Sequence, residues 1–87
     1  MNEHPQVKMY TISTCGFCKA AKAFLKEQGI SFEFVDIDLL DREDKRRVLR
    51  EARTVAGAER IAFPTIVIGY TVIIGFKEYE IGKALGL

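Results

Sequence analysis

The sequence predicts an α/β domain in which one four-stranded mixed sheet, built in the order β-α-β-α-β-β-α, carries helices on both faces. Three observations predict it. Two β-branched and aromatic runs, Val7–Ile12 and Ser31–Asp38, flank a segment of helical periodicity. A strand–helix–strand unit of that length forms a right-handed crossover between parallel neighbours. Further on, the apolar run after Pro64 is split by Gly69-Tyr70, a two-residue hairpin signal, and a short helical segment follows.

In order, Val-Lys-Met-Tyr-Thr-Ile at 7–12 reads as the first strand. Ser13 and Thr14 offer side chains suited to an N-cap. Gly16–Gln28 reads as a helix, with Ala20, Ala21, Phe24 and Leu25 on one face and Lys19, Lys22, Lys26 and Glu27 largely on the other; Gly29 sits where a helix ends. The second strand, Ser31–Asp38, carries Phe32, Phe34, Val35 and Ile37. Asp41 is placed to cap a second helix through Ala56, closed by Gly57. Val48, Ala52 and Val55 form its apolar stripe, and Glu43–Arg47 and Arg47–Glu51 are spaced to pair on its exposed side. Thr65–Ile68 and Thr71–Ile74 make the hairpin, with Gly69 at the first central position of a type II′ turn. Lys77–Leu85 forms the last helix, on Ile81, Ala84 and Leu85. Tyr10, Phe24, Phe32 and Phe34 are expected in the core; Tyr70 and Tyr79 fit either core or surface.

Eighty-seven residues, 48% hydrophobic and 29% charged, suit a single ordered domain spanning 1–87. Thirteen basic and twelve acidic residues leave a formal net charge of +1, which offers no general attraction to nucleic acid. Residues 1–6 are polar and hold Pro5, unlike a signal peptide. The apolar stretch 61–76 is broken by Pro64, Gly69 and Gly75 and is too short to cross a bilayer. The expectation is a monomeric cytoplasmic protein that binds neither nucleic acid nor membrane.

The chemistry lies in Thr14-Cys15-Gly16-Phe17-Cys18, at the junction of the first strand and first helix. There, free backbone N–H groups and the helix dipole favour negative charge, so Cys15 should ionise more readily than an ordinary thiol. Lys19 and Lys22 would add to that attraction if they point the same way. Cys18, one turn on, is near enough to attack a mixed disulfide on Cys15 and release the reduced product. Cys15, the more exposed at the helix start, is the attacking thiol and Cys18 the resolving one. Gly16 leaves the backbone close to the attacking sulfur, and Phe17 supplies an apolar rim or simply packs. Closing so short a loop removes little entropy from the unfolded chain, so the pair would be a poor structural staple. A closed zinc site takes four ligands, and beyond the pair the chain offers only His4 and scattered carboxylates. A C-x-x-C beside a β-α-β unit points to a thioredoxin-like redox motif. Pro64 enters the third strand directly after Phe63. That bond is either trans, marking the strand edge, or cis, in which case the backbone of Phe63 turns outward and can pair with an extended peptide.

These residues carry a resemblance over nearly the whole chain. Lys8-Met9-Tyr10-Thr11, Thr14-Cys15-Gly16-Phe17-Cys18-Lys19, Phe34-Val35-Asp36-Ile37-Asp38, Phe63-Pro64-Thr65 and Gly75-Phe76 together resemble the glutaredoxin-like small redoxins of the thioredoxin superfamily. The resemblance implies a thioredoxin-like fold and dithiol–disulfide oxidoreductase activity. It implies Cys15 as nucleophile, Cys18 as resolving thiol and Pro64 as the cis-proline facing them. Phe63, Pro64, Gly75 and Phe76 would frame a docking groove together with Gly16 and Phe17. Disulfide-containing proteins would be the substrates. No bound cofactor is implied; a low-molecular-weight thiol such as glutathione, or a thioredoxin-type reductase, would regenerate the dithiol. Glutathione-dependent members carry a lysine three residues before the first cysteine, where this chain has Ile12. They carry Gly-Gly followed by acidic residues where this chain has Gly75-Phe76-Lys77-Glu78. The Gly-Phe pair is similar to that of redoxins reduced by a thioredoxin-type reductase and feeding ribonucleotide reductase, and to that of anaerobe redoxins using other small thiols. Cys-Gly-Phe-Cys also resembles the Cys-Gly-Phe-Ser motif of cluster-bridging monothiol members, so a metal- or iron–sulfur-cluster-binding module is the alternative.

Overall fold

The computed structural model describes residues 4–87, so residues 1–3 of the polar N-terminal stretch lie outside the described residues. The elements are β1 (Val7–Thr11), α1 (Gly16–Glu27), β2 (Glu33–Asp36), a 3₁₀ turn (Ile37–Leu39), α2 (Arg42–Ala56), β3 (Thr65–Ile68), β4 (Thr71–Ile74) and α3 (Glu78–Leu85). The expected order β-α-β-α-β-β-α is present in full. The sheet runs β2-β1-β3-β4, with β1 parallel to β2 and antiparallel to β3, and β3 antiparallel to β4.

The period-2 alternation of the central strands divides the core in two. Val7 and Met9 of β1 and Ile66 and Ile68 of β3 face one way, where they pack with Ala21 and Leu25 of α1 and Ile81 and Leu85 of α3. Tyr10 faces the other way and packs with Ile37, Val48 and Ala52 under α2. Helices therefore cover both faces, and β1, flanked on both sides, contributes Val7, Met9, Tyr10 and Thr11 as buried residues.

α2 begins on the Asp41 cap, whose carboxylate accepts the Asp44 N–H at 2.8 Å, and ends on Gly57 at φ 67°, a left-handed conformation that favours glycine. In the β3–β4 hairpin, Ile68 pairs with Thr71 across Gly69-Tyr70; Gly69 has φ 61° and Tyr70 stays at negative φ, as a type II′ turn requires.

Four expectations differ from the structure. The second strand stops at Asp36, and Ile37–Leu39 coil into a 3₁₀ turn. Phe34 is not core but half-exposed at 49%, because β2 is an edge strand; the Lys22 ammonium lies 3.9 Å from its ring centroid. Phe24 and Phe32 are only partly buried, at the margin of the α1–α3 side. On α2, Arg47 pairs with Asp44 at 2.9 Å rather than with Glu43 or Glu51, since Glu51 reaches Lys8 of β1 at 3.4 Å. Among the described residues, no helix is long and apolar enough to cross a membrane.

Candidate active site

The loop between β1 and α1 is built around Cys15. The Cys15 N–H donates to the Ile12 carbonyl at 3.1 Å, closing a turn over Ser13 and Thr14. Cys15 itself is the N-cap of α1, at φ −81° and ψ 120°, and its Sγ accepts the Cys18 N–H at 3.4 Å. This corrects the expectation that Ser13 or Thr14 caps the helix. Ser13 is engaged elsewhere: its N–H donates to Asp38 Oδ1 at 2.8 Å and its hydroxyl to Asp38 Oδ2. The forked carboxylate ties the cysteine loop to the 3₁₀ turn after β2.

A second brace stands behind the first. Thr11 Oγ1, fully buried, donates to the Val35 carbonyl at 3.0 Å and to Asp36 Oδ1 at 2.6 Å. Lys22 Nζ of α1 reaches the same Asp36 oxygen at 3.2 Å. Asp36 thus joins β1, β2 and α1. Neither Asp36 nor Asp38 carries a local sequence signal for this bracing role. Their partners lie 25 residues back along the chain, so no local spacing displays them.

The two thiols differ in environment. Cys15 is partly exposed and Cys18 fully buried, and both are free. The Cys15 thiol is held below its ordinary value. The largest cause is the hydrogen bond from the Cys18 side chain; desolvation opposes it, and the N–H groups of Cys18 and Phe17 add to it. The condition set for Lys22, that it point toward Cys15, is not met, because its ammonium is turned to Asp36. Burial pushes the Cys18 thiol up to about 11, and the hydrogen bond and charge of Cys15 push the same way. The Ile12 backbone and the Lys22 ammonium oppose that rise. The two thiols are thus shifted in opposite directions, Cys15 toward the thiolate and Cys18 toward the protonated form.

The proline segment lies against Cys15, and the other expected site residues are distributed around it. The Cys15 thiol lies 3.8 Å from the Phe63 carbonyl oxygen, the Phe63–Pro64 bond is cis, and Pro64 is buried. The Gly75 N–H donates to the Pro64 carbonyl at 2.7 Å, which binds the loop before α3 to the proline segment. Gly16 is exposed, and Phe17 stands 68% exposed at the start of α1. Phe76 is set apart: it is partly buried and its ring lies 6.0 Å from that of Phe24, against α1. Ile12, three residues before Cys15, packs on the α2 side of the core. Among the described residues, no group of three or more His, Cys, Asp or Glu side chains is arranged to hold a metal ion.

Comparison with known proteins places this geometry. The family model described as Glutaredoxin matches residues 7–73. An uncharacterised glutaredoxin-like 8.6 kDa protein from the rubredoxin operon of Clostridium pasteurianum is 33% identical over 79 residues, which is 91% of this chain and 96% of that protein. The crystal structure of methanoredoxin from Methanosarcina acetivorans superposes with a TM-score of 0.83 at 34% identity, covering 97% of this chain and 87% of that one. That of a glutaredoxin from Archaeoglobus fulgidus gives a TM-score of 0.83 at 31% identity, covering 92% and 85%.

Proposed function

Because the chain belongs to the glutaredoxin family of dithiol–disulfide oxidoreductases, we propose that it is a small electron carrier that reduces protein and small-molecule disulfides by exchange at Cys15 and Cys18. The observation that carries this is the inequality of the two thiols: Cys15 at the helix cap, partly exposed and lowered, and Cys18 one turn on, buried and raised to about 11.

In the first step the Cys15 thiolate attacks one sulfur of the substrate disulfide. A bond forms to Cys15 Sγ, the substrate S–S bond breaks, and the departing thiolate takes up a proton. Cys15 then bears no charge, so its charge no longer holds the Cys18 proton in place. Cys18 loses its proton to solvent and attacks Cys15 Sγ. The mixed disulfide breaks, the product leaves as a thiol, and the protein keeps a Cys15–Cys18 disulfide. Two electrons have passed to the substrate. A thioredoxin-type reductase or a low-molecular-weight thiol such as glutathione returns them.

Phe17, Phe63, Pro64 and Gly75 form the docking rim in this reading, and Gly16 keeps the approach to Cys15 open. Their supports are the exposure of Phe17 and Gly16, the contact of Phe63 with Cys15, and the Gly75–Pro64 hydrogen bond. Phe76 would act from behind, by holding the Gly75 loop against Phe24. The carrier works as a monomer, one domain of residues 1–87, in the reducing cytoplasm.

Reduction of an uncharged disulfide by single-cysteine variants tests the reading. Cys15→Ser should lose all activity. Cys18→Ser should accumulate a mixed disulfide on Cys15. Undiminished turnover by Cys15→Ser would overturn the assignment of roles.

A further inference from the structure

The charge of this chain is unevenly placed. The whole protein carries +1, yet α2 alone holds six basic against three acidic side chains, so the rest of the chain is net acidic. Two of those three acids are already occupied: Asp44 pairs with Arg47, and Glu51 reaches across to Lys8. Arg42, Lys45, Arg46, Arg50 and Arg53 make no ion pair among the described residues.

Their spacing concentrates them. Positions 42, 45, 46, 49 and 53 fall on one stripe of a 3.6-residue helix, and no acidic residue shares it. Arg42, Lys45, Arg46 and Arg53 line a shallow cavity of about 270 Å³ with Leu49 among them. Leu49 packs at the edge of the Tyr10–Val48 core, so the cations stand around an apolar patch. The stripe also touches the site electrostatically. The Lys45 ammonium is among the groups that keep the Asp38 carboxyl below its usual range, and Asp38 is the carboxylate that holds Ser13 in the cysteine loop.

We propose that this face of α2 is a docking surface for an acidic segment of the disulfide-bearing partner protein. Arg42, Lys45, Arg46 and Arg53 would take its carboxylates, and Leu49 an apolar side chain between them. Charge complementarity selects this occupant: the stripe presents cations that make no ion pair among the described residues, around a small apolar seat and next to the element that braces Cys15. Such a surface raises the encounter rate of an oppositely charged partner by roughly 10-fold or more at low ionic strength and loses that advantage in salt. The inference rests on the disulfide-exchange reading and adds to it which substrates are favoured.

The test measures the rate of mixed-disulfide formation between the reduced protein and three synthetic disulfide peptides. They are identical except for a flanking run of glutamate, glutamine or lysine. An uncharged disulfide, bis(2-hydroxyethyl) disulfide, reports the exchange chemistry by itself. The glutamate peptide should react about 10-fold faster than the glutamine peptide at low salt, and the gap should close as salt is added. The double variant Arg42→Gln/Arg46→Gln should lose most of that preference and keep its rate on bis(2-hydroxyethyl) disulfide. Lys26→Gln/Lys83→Gln removes the same net charge elsewhere and should keep the preference. Equal rates on the glutamate and glutamine peptides, or equal loss in the two double variants, would overturn the docking surface. So would salt-sensitive binding of a single-stranded DNA oligonucleotide to the α2 stripe with no peptide preference. Failure on bis(2-hydroxyethyl) disulfide itself would instead overturn the exchange reading on which the surface rests.

Discussion

Replacing Cys15 separates two jobs done by one atom. Its Sγ is the N-cap acceptor of α1, taking the Cys18 N–H at 3.4 Å, and it is also the proposed attacking sulfur. A neutral thiol is a weak acceptor, whereas serine is among the preferred caps. The backbone at Cys15, φ −81° and ψ 120°, already has the extended conformation that a capping serine adopts. An N-cap serine is worth about 1 kcal/mol over alanine, so Cys15→Ser should exceed Cys15→Ala in stability by that amount. For a chain of this size that is a Tm difference of about 4–8 °C. The native protein should fall between the two variants while Cys15 is a thiol. The Cys15 pKa is lower in the folded protein than its ordinary 9.0. A lowered pKa contributes stability that is fully present above the unfolded value and is lost as pH falls through the folded one. The native protein should therefore gain on Cys15→Ser as pH is raised toward 9. Urea unfolding of the three proteins under reducing conditions, in acid and at high pH, measures both effects. Cys15→Ser should be inactive in disulfide reduction and yet more stable than Cys15→Ala. Equal stability of the two variants at every pH would refute the capping argument.

Thr11→Val keeps the shape of a fully buried side chain but removes a 2.6 Å hydrogen bond to the Asp36 carboxylate. It should cost about 2 kcal/mol in urea unfolding, in line with hydrogen bonds to charged groups, and a loss below about 0.5 kcal/mol would contradict the brace. Asp38→Ala frees both groups of Ser13 and loosens the loop that presents Cys15. Alkylation of Cys15 at neutral pH should slow while the circular dichroism stays unchanged; an unaltered rate would deny Asp38 a positioning role. The Cys18 thiol, raised to about 11, contributes stability present below its ordinary 9.0 and lost as pH rises through that window. Cys18→Ala should abolish that alkaline decline, and a decline of the same size in the variant would assign it elsewhere.

Much of this fold is written in local pattern. The β-branched and aromatic run of Val7–Thr11 is that of a strand, and Asp41 starts a helix, Gly57 stops it and Gly69 turns the chain where their chemistry requires. The thiol pair was legible because a reactive cysteine needs a helix N-terminus, and the sequence puts Cys15 at one. What was not legible depends on residues distant in sequence. The second strand is short because Asp38 turns back to Ser13, and that same bond takes Ser13 away from capping and leaves the cap to Cys15. Glu51 leaves its own helix for Lys8, which no helical spacing foretells. Phe34 has the composition of a core residue, but β2 lies at the sheet edge, where the Lys22 ammonium and the Phe32 ring lie against it and half of it stays exposed. Lysines near a cysteine in sequence suggest a charge on the thiolate; in the fold, the neighbouring thiol and two N–H groups provide that stabilisation instead.

The central claim is that Cys15 and Cys18 are unequal thiols, one poised to attack and one held in reserve. A pulse of iodoacetamide on the fully reduced protein across a pH series, read by peptide mass spectrometry, tests it most directly. The account predicts that Cys15 is alkylated with a midpoint below 9.0 and that Cys18 stays unmodified until far more alkaline conditions, near about 11. Modification of Cys18 first, or of both thiols together with one midpoint at 9.0 or above, would contradict it.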